Sequence, residues 1–187
     1  MLRSTPLTAL GVASLALLTE RPMHPYEMYQ LLMARSEDRL LKVRPGTLYH
    51  AVGRLEEQGL VRVMGTDREG NRPERTTYEI TEAGKQTLTV RLQEMLAVPV
   101  PEYPGFPLAV AEAHNLPADV VVGLLDQRLA ALAAQLDTLQ SAARKVTEKG
   151  VERRYWIDVE YQQSMLRAEI DWIRSFQEDI STGRLGW

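Results

Sequence analysis

The stretch RPGTLYHAVGRLEEQGLV, residues 44–61, sets Thr47, His50, Gly53, Arg54 and Glu57 along one side of a helix. A hydroxyl, an imidazole and a guanidinium can each hydrogen-bond to base edges or phosphate oxygens, and a glycine leaves room for another surface to come close. The start of such a helix adds oriented N–H groups that suit a phosphate. The opposite side carries Leu48, Val52 and Leu55 at i, i+4 and i+7, the spacing of a core-facing stripe, and Tyr49 lies on the flank. The polar side is equally a description of an ordinary solvated helix face, and residue types alone leave both readings open.

Other chemistries fail on inventory. The chain has no cysteine and three histidines, His24, His50 and His114, too widely separated for a ligand cluster. There is no nucleotide-binding loop and no Ser/His/Asp arrangement, and neither His24 nor His50 has an evident acid partner in sequence. Glu56 and Glu57 read as a solvated face. The expectation is a protein that is not an enzyme and needs no cofactor and no metal.

The net charge of −3 conceals a local difference. Residues 1–90 carry 12 Lys and Arg against 11 Asp and Glu, residues 91–187 carry 10 against 14, and residues 39–75 carry 8 against 5. Any anion-binding surface belongs in that basic stretch. Part of it is TDREGNRPE, residues 66–74, which with Arg68, Arg72 and neighbouring Arg75 reads as a hairpin loop able to reach a DNA backbone or minor groove. Asp67, Glu69 and Glu74 dilute its charge.

These residues need elements to hold them. Apolar content of 44% is ample for a packed core. Pro6 to about Thr19 reads as a buried first helix, in preference to a signal peptide because no small-residue cleavage site follows it. Pro25 opens a second helix running to about Arg35, and Pro45 opens the third, which Gly59 ends. From Leu60 the pattern alternates, with Val61 and Val63 on one face, and Thr76, Tyr78 and Ile80 share a face in a second strand. Thr81 then caps a fourth helix. Helix, helix, helix, strand, loop, strand is the order of a winged helix.

Residues 98–107, VPVPEYPGFP, hold four of the ten prolines and mark a boundary. The expected organisation is a winged helix-turn-helix domain over 1–97, a proline-rich linker over 98–117 and a long-helix, antiparallel or coiled dimerisation domain over 118–187. The fold class is mostly α with a small β-hairpin wing. In the last domain Leu125, Leu129, Leu132, Leu136 and Leu139 follow a heptad pattern, and Leu166 and Ile173 repeat at seven residues. Two such seams predict a homodimer, with packing between the two helices of one chain as the alternative. Trp156 and Trp172 are candidate effector-binding residues, though aromatics at helical spacing equally serve packing. No run reaches the roughly 18 apolar residues of a membrane span, so no membrane partner is expected.

Three ordered segments, LGVASLALLTERPMHPYEMYQLL, RPGTLYHAVGRLEEQGLV and TTYEITEAGKQTL, resemble the PadR family of bacterial transcriptional regulators across about residues 7–90. The resemblance implies a winged helix that binds palindromic operators as a dimer, usually to repress, with Tyr26, Thr47, Tyr49 and Arg54 at or near the DNA. It further implies a C-terminal helical dimerisation domain, and some members answer to small aromatic compounds. His50, Arg68 and Arg72 join the DNA-binding set on the geometric argument above. Two positions depart from the pattern: Pro25 stands where Gly is common, and Arg44 where a capping Ser or Thr is usual. The second should leave one helical N–H without its partner, at about 1 kcal/mol, and marks Arg44 either as a phosphate contact or as a tolerated surface residue.

The functional expectation is a cytoplasmic bacterial repressor, on the nucleoid when bound, whose partners are double-stranded operator DNA, a second copy of itself and a small aromatic effector. A winged-helix and coiled-helix module that only assembles proteins is the alternative.

Overall fold

The computed structural model describes residues 7–67 and 75–187, which divide into two compact units, one ending at Pro101 and the other starting at Glu102. Arg68 and Arg72 lie outside the described residues.

The first unit holds α1 (Ala9–Glu20), α2 (Pro25–Ala34), a 3-10 turn (Glu37–Arg39), α3 (Pro45–Glu57), β1 (Val61–Asp67), β2 (Arg75–Ile80) and α4 (Glu82–Ala97). Local chemistry sets the boundaries. The Thr8 hydroxyl caps α1 by accepting the Gly11 N–H at 3.1 Å. Gly59, at φ +70°, takes the left-handed conformation that ends α3, and the Leu60 N–H then closes onto the Leu55 carbonyl at 2.8 Å. α1, α2 and α3 meet over Leu15, Met28, Leu32, Leu48, Val52 and Leu55, all nearly inaccessible to solvent.

β1 and β2 pair antiparallel from Val61↔Ile80 to Asp67↔Arg75, with a register shift between Val63 and Gly65. Val61 and Val63 pair in regular register and keep the alternation expected from the sequence, which the shift interrupts only after Val63. Val61 is buried, but Val63 is exposed along with Met64. A third short segment joins the sheet: Met23, between α1 and α2, exchanges two backbone hydrogen bonds of 3.0 Å with Tyr78.

α4 is locked onto the hairpin by one threonine and one glycine. The Thr81 hydroxyl accepts the Gly84 N–H at 3.1 Å and donates to the Gly59 carbonyl at 2.8 Å. A β-carbon on Gly84 would fall 2.1 Å from the Leu60 carbonyl oxygen, so only glycine fits.

The second unit comprises α5 (Gly105–Ala111), a 3-10 turn (Ala113–Asn115), α6 (Ala118–Glu148), a 3-10 turn (Arg153–Tyr155) and α7 (Ile157–Ser181). Residues 98–117, expected as linker throughout, thus contain a helix and a turn. Proline at the margin of Gly105–Ala111 is compatible with a helix start, where its missing N–H has no partner to lose.

α6 and α7 are antiparallel, as the cross-helix pairs Arg128–Glu169 and Gln177–Asp126 require. Gly150 (φ +69°) ends α6 and Val151 bonds back to Val146 at 3.0 Å, which reverses the chain within a few residues. The seam expected to join two chains therefore closes within one. Leu125, Leu132 and Leu139 are buried, Leu129, Leu136 and Leu166 are half-buried, and Ile173 is fully buried, with α7 supplying the opposite wall through Ile170 and Ile180. Among the described residues no helix is long and apolar enough to cross a membrane.

Candidate nucleic-acid interface

α3 presents two different sides. Leu48, Ala51, Val52 and Leu55 are buried, whereas Arg44, Thr47, Tyr49, His50 and Arg54 are exposed, Tyr49 to 46%. A β-carbon on Gly46 or Gly53 would meet nothing within 4 Å. No contact inside the protein demands glycine at those two points, so the bare backbone is available to an approaching surface.

As expected, the Arg44 side chain makes no cap hydrogen bond to the first turn of α3. The Thr47 hydroxyl accepts the Arg44 N–H at 3.2 Å and donates to the Arg44 carbonyl at 2.8 Å, which is the reciprocal half of a capping box and serves Arg44's own backbone. Thr47 keeps one lone pair and its methyl group for an outside partner, and the uncapped N–H groups at the start of α3 are left to an outside acceptor. Neither Arg44 nor Arg54 forms an ion pair with a described residue, whereas Arg62, on the adjoining strand, spends its charge on Glu79 at 2.8 Å.

Tyr26, exposed to 47%, stands at the start of α2. It stacks on Tyr29 with centroids 6.2 Å apart, and the His24 ring meets Tyr49 edge-on at 5.7 Å and 75°. His24 also caps α2: its Nδ1 accepts the Tyr26 N–H at 3.1 Å. The sequence reading gave His24 no role. A polar residue immediately before a helix-opening proline was the signal it passed over.

Fixed charges brace this surface from behind. The Arg21 guanidinium, with a bond from the His24 backbone, holds the Glu27 carboxyl below the usual carboxylate range. Arg35 does the same for Glu20 through bonds of 2.6 and 2.9 Å. Burial, followed by the Glu56 carboxylate to which it is bonded, pushes the Tyr78 phenol up. Glu56 is exposed, as its reading as a solvated residue expects, and its carboxylate also acts on Tyr78 of β2.

Six expected residues, Tyr26, Arg44, Thr47, Tyr49, His50 and Arg54, all sit exposed on the first unit, at the start of α2 and along α3. The two effector candidates are not brought together. Trp156 precedes α7 and donates its indole N–H to the Val151 carbonyl at 3.2 Å, while Trp172 stacks on Phe176 at 5.2 Å and meets Phe106 edge-on at 6.3 Å. Sixteen residues of largely helical chain separate them by about 24 Å. The groove between α6 and α7, lined by Leu136, Asp137, Gln140, Arg167, Ile170 and Arg174, includes neither. Among the described residues no cluster of His, Cys, Asp or Glu could hold a metal ion.

Residues 15–90 match the Transcriptional regulator PadR-like family. Among solved structures, PadR of Bacillus subtilis in complex with operator DNA is similar with a TM-score of 0.79 at 19% identity, covering 94% of this chain and 99% of that one. The same protein in complex with p-coumaric acid gives 0.75 at 18% identity, covering 93% and 99%. The virulence activator AphA of Vibrio cholerae gives 0.67 at 16% identity, again covering 93% and 99%. These likenesses establish the fold, a mostly helical chain with a winged-helix hairpin. The search of curated proteins returned no match.

Proposed function

We propose that this chain, whose residues 15–90 belong to the transcriptional regulator PadR-like family, represses transcription by binding an inverted-repeat operator as a homodimer. The observation that carries the reading is the two-sidedness of α3: its aliphatic residues are sealed in the core while Tyr49, His50 and Arg54 are exposed. Arg54 reads a base edge, Arg44 and the start of α3 take phosphates, and Tyr26 and Tyr49 flank the groove. Arg68 and Arg72, on their sequence alone, are the candidates for contacts with the DNA backbone from the wing. The Bacillus PadR bound to operator DNA supports this use of the fold.

The dimer contact lies on the second unit, outside the α6–α7 seam. Tyr161, Met165 and Trp172, with Ala168 between them, recur at i, i+4, i+7 and i+11 on α7, and the three large residues are 66%, 54% and 47% exposed. Val120 and Leu124 of α6 are exposed as well. A stripe of this size is what a second copy would cover. Release by a small aromatic effector is part of the proposal, supported by the Bacillus complex with p-coumaric acid. Trp172, beside Phe106 and Phe176, is the better candidate contact, since the indole N–H of Trp156 is already spent. The site of action is the cytoplasm, on the nucleoid when bound.

Selection of bound fragments from a pool of random duplexes tests the whole proposal. The expected product is an inverted repeat with half-sites about one helical turn, roughly 34 Å, apart. Recovery of no enriched sequence, or of a single unpaired half-site, overturns it.

A further inference from the structure

We infer that His24 is a positioning residue for the recognition surface, its one imidazole holding the Tyr26 backbone N–H at the start of α2 and meeting the Tyr49 ring of α3; the inference rests on the DNA-binding reading above. Its Nδ1 accepts the Tyr26 N–H at 3.1 Å, so that nitrogen carries a lone pair and any ring proton sits on Nε2. The edge of the same ring meets Tyr49 at 5.7 Å. Pro25 occupies the first position of α2 and has no N–H, which makes the Tyr26 N–H the first donor of the helix that needs a partner. The Glu27 carboxylate accepts the backbone N–H of His24 in return. One side chain thus fixes where α2 begins, where Tyr26 starts along it, and which way the Tyr49 ring leans.

The arrangement depends on a proton. An imidazolium has donors on both nitrogens, so Nδ1 would confront the Tyr26 N–H instead of accepting it. The cap would be lost and the ring would turn, releasing both tyrosines. Charged and titratable groups that act on His24 include Glu27, to which Arg21 is bonded, and Tyr49 of α3. Glu27 favours the imidazolium and the positive end of α2 opposes it. His50 lies exposed on the same surface, so replacing it with Gln keeps its imidazole out of the comparison.

The probe is the duplex recovered by selection, with affinity measured for full-length protein across a salt series. At pH about 7.5 the His24→Ala protein is expected to bind about tenfold more weakly with an unchanged salt slope, because no phosphate contact is removed, and His24→Asn, which can cap, is expected to recover most of the loss. In the His50→Gln background, acidification to about pH 5.5 is expected to weaken binding about fivefold, and His24→Asn in that background is expected to flatten the response. Equal affinities for His24→Ala and wild type, a salt slope reduced by one contact, or an acid response that survives His24→Asn each overturn the positioning role. Should His24→Ala fail to fold, the acid series on the other two variants decides. Salt-independent or absent binding by wild type overturns the DNA-binding reading itself, a result separable from any behaviour of His24.

Discussion

Arg54 and Thr47 show what a single side chain can contribute on this surface. Arg54 is exposed without an ion-pair partner among the described residues, so its fork of donors is intact for a base edge. Arg54→Ala is expected to weaken binding to the selected duplex by about 1–3 kcal/mol and to relax specificity at one base pair, with an unchanged thermal midpoint. Thr47 is already bonded twice to Arg44, so Thr47→Val should cost stability through α3 before it costs recognition. Differential scanning calorimetry beside binding separates the two. Glu20 and Glu27 make an acid signature. Both carboxyls are held below their usual range by arginines, so their contribution is complete above the ordinary carboxylate pKa of about 4.3 and is lost as pH falls through the lowered folded value. The Glu20→Gln, Glu27→Gln double variant is expected to show a flatter thermal midpoint against pH below about 4.3 than wild type. Legibility at this scale follows sequence distance. The stripe Leu48, Val52, Leu55 and the outward Arg54 could be read because helical periodicity is local. The Glu56–Tyr78 bond could not, because its partners meet only when the hairpin folds back.

Elements were read well wherever one residue type forces a boundary. Pro25 and Pro45 open α2 and α3, Gly59 closes α3, and Thr81 caps α4, each for a reason visible in the residue itself. The register shift after Val63 and the helix Gly105–Ala111 were missed. Bulges arise from pairing with a distant strand, and prolines around residue 105 look like a breaker although one can equally start a helix. Gly84 gives the sharpest test of an element's packing. Gly84→Ala drives a methyl into the Leu60 carbonyl, and the expected destabilisation is about 1–3 kcal/mol or more, read as a lowered unfolding midpoint in urea. The heptads of α6 were legible as a seam, yet the sequence does not say which helix fills it. The tight reversal at Gly150 gives the seam to α7 of the same chain. Leu132→Asp should therefore collapse the second unit, with loss of helical circular dichroism, where a dimer seam would have given folded monomers.

At the scale of the molecule, the proposal puts recognition and assembly on separate surfaces: α2 and α3 of the first unit, and the exposed stripe of Tyr161, Met165 and Trp172 on the second. Met165→Glu is accordingly expected to leave helicity intact while converting dimers to monomers in sedimentation equilibrium, and to weaken duplex binding through loss of the paired half-site. A dimer that persists in Met165→Glu places the contact elsewhere. The net charge of −3 is no obstacle to a polyanionic partner, because the basic excess is concentrated in residues 39–75 around α3 and the hairpin. The most direct measurement is the equilibrium affinity of the full-length protein for its selected duplex between about 50 and 200 mM salt. Release of counterions from the phosphates met by this face predicts a linear fall of log affinity with log salt, tenfold or more over about that range, and a shallower slope in Arg44→Ala. An affinity that stays level across the series contradicts the assignment of α3 to DNA.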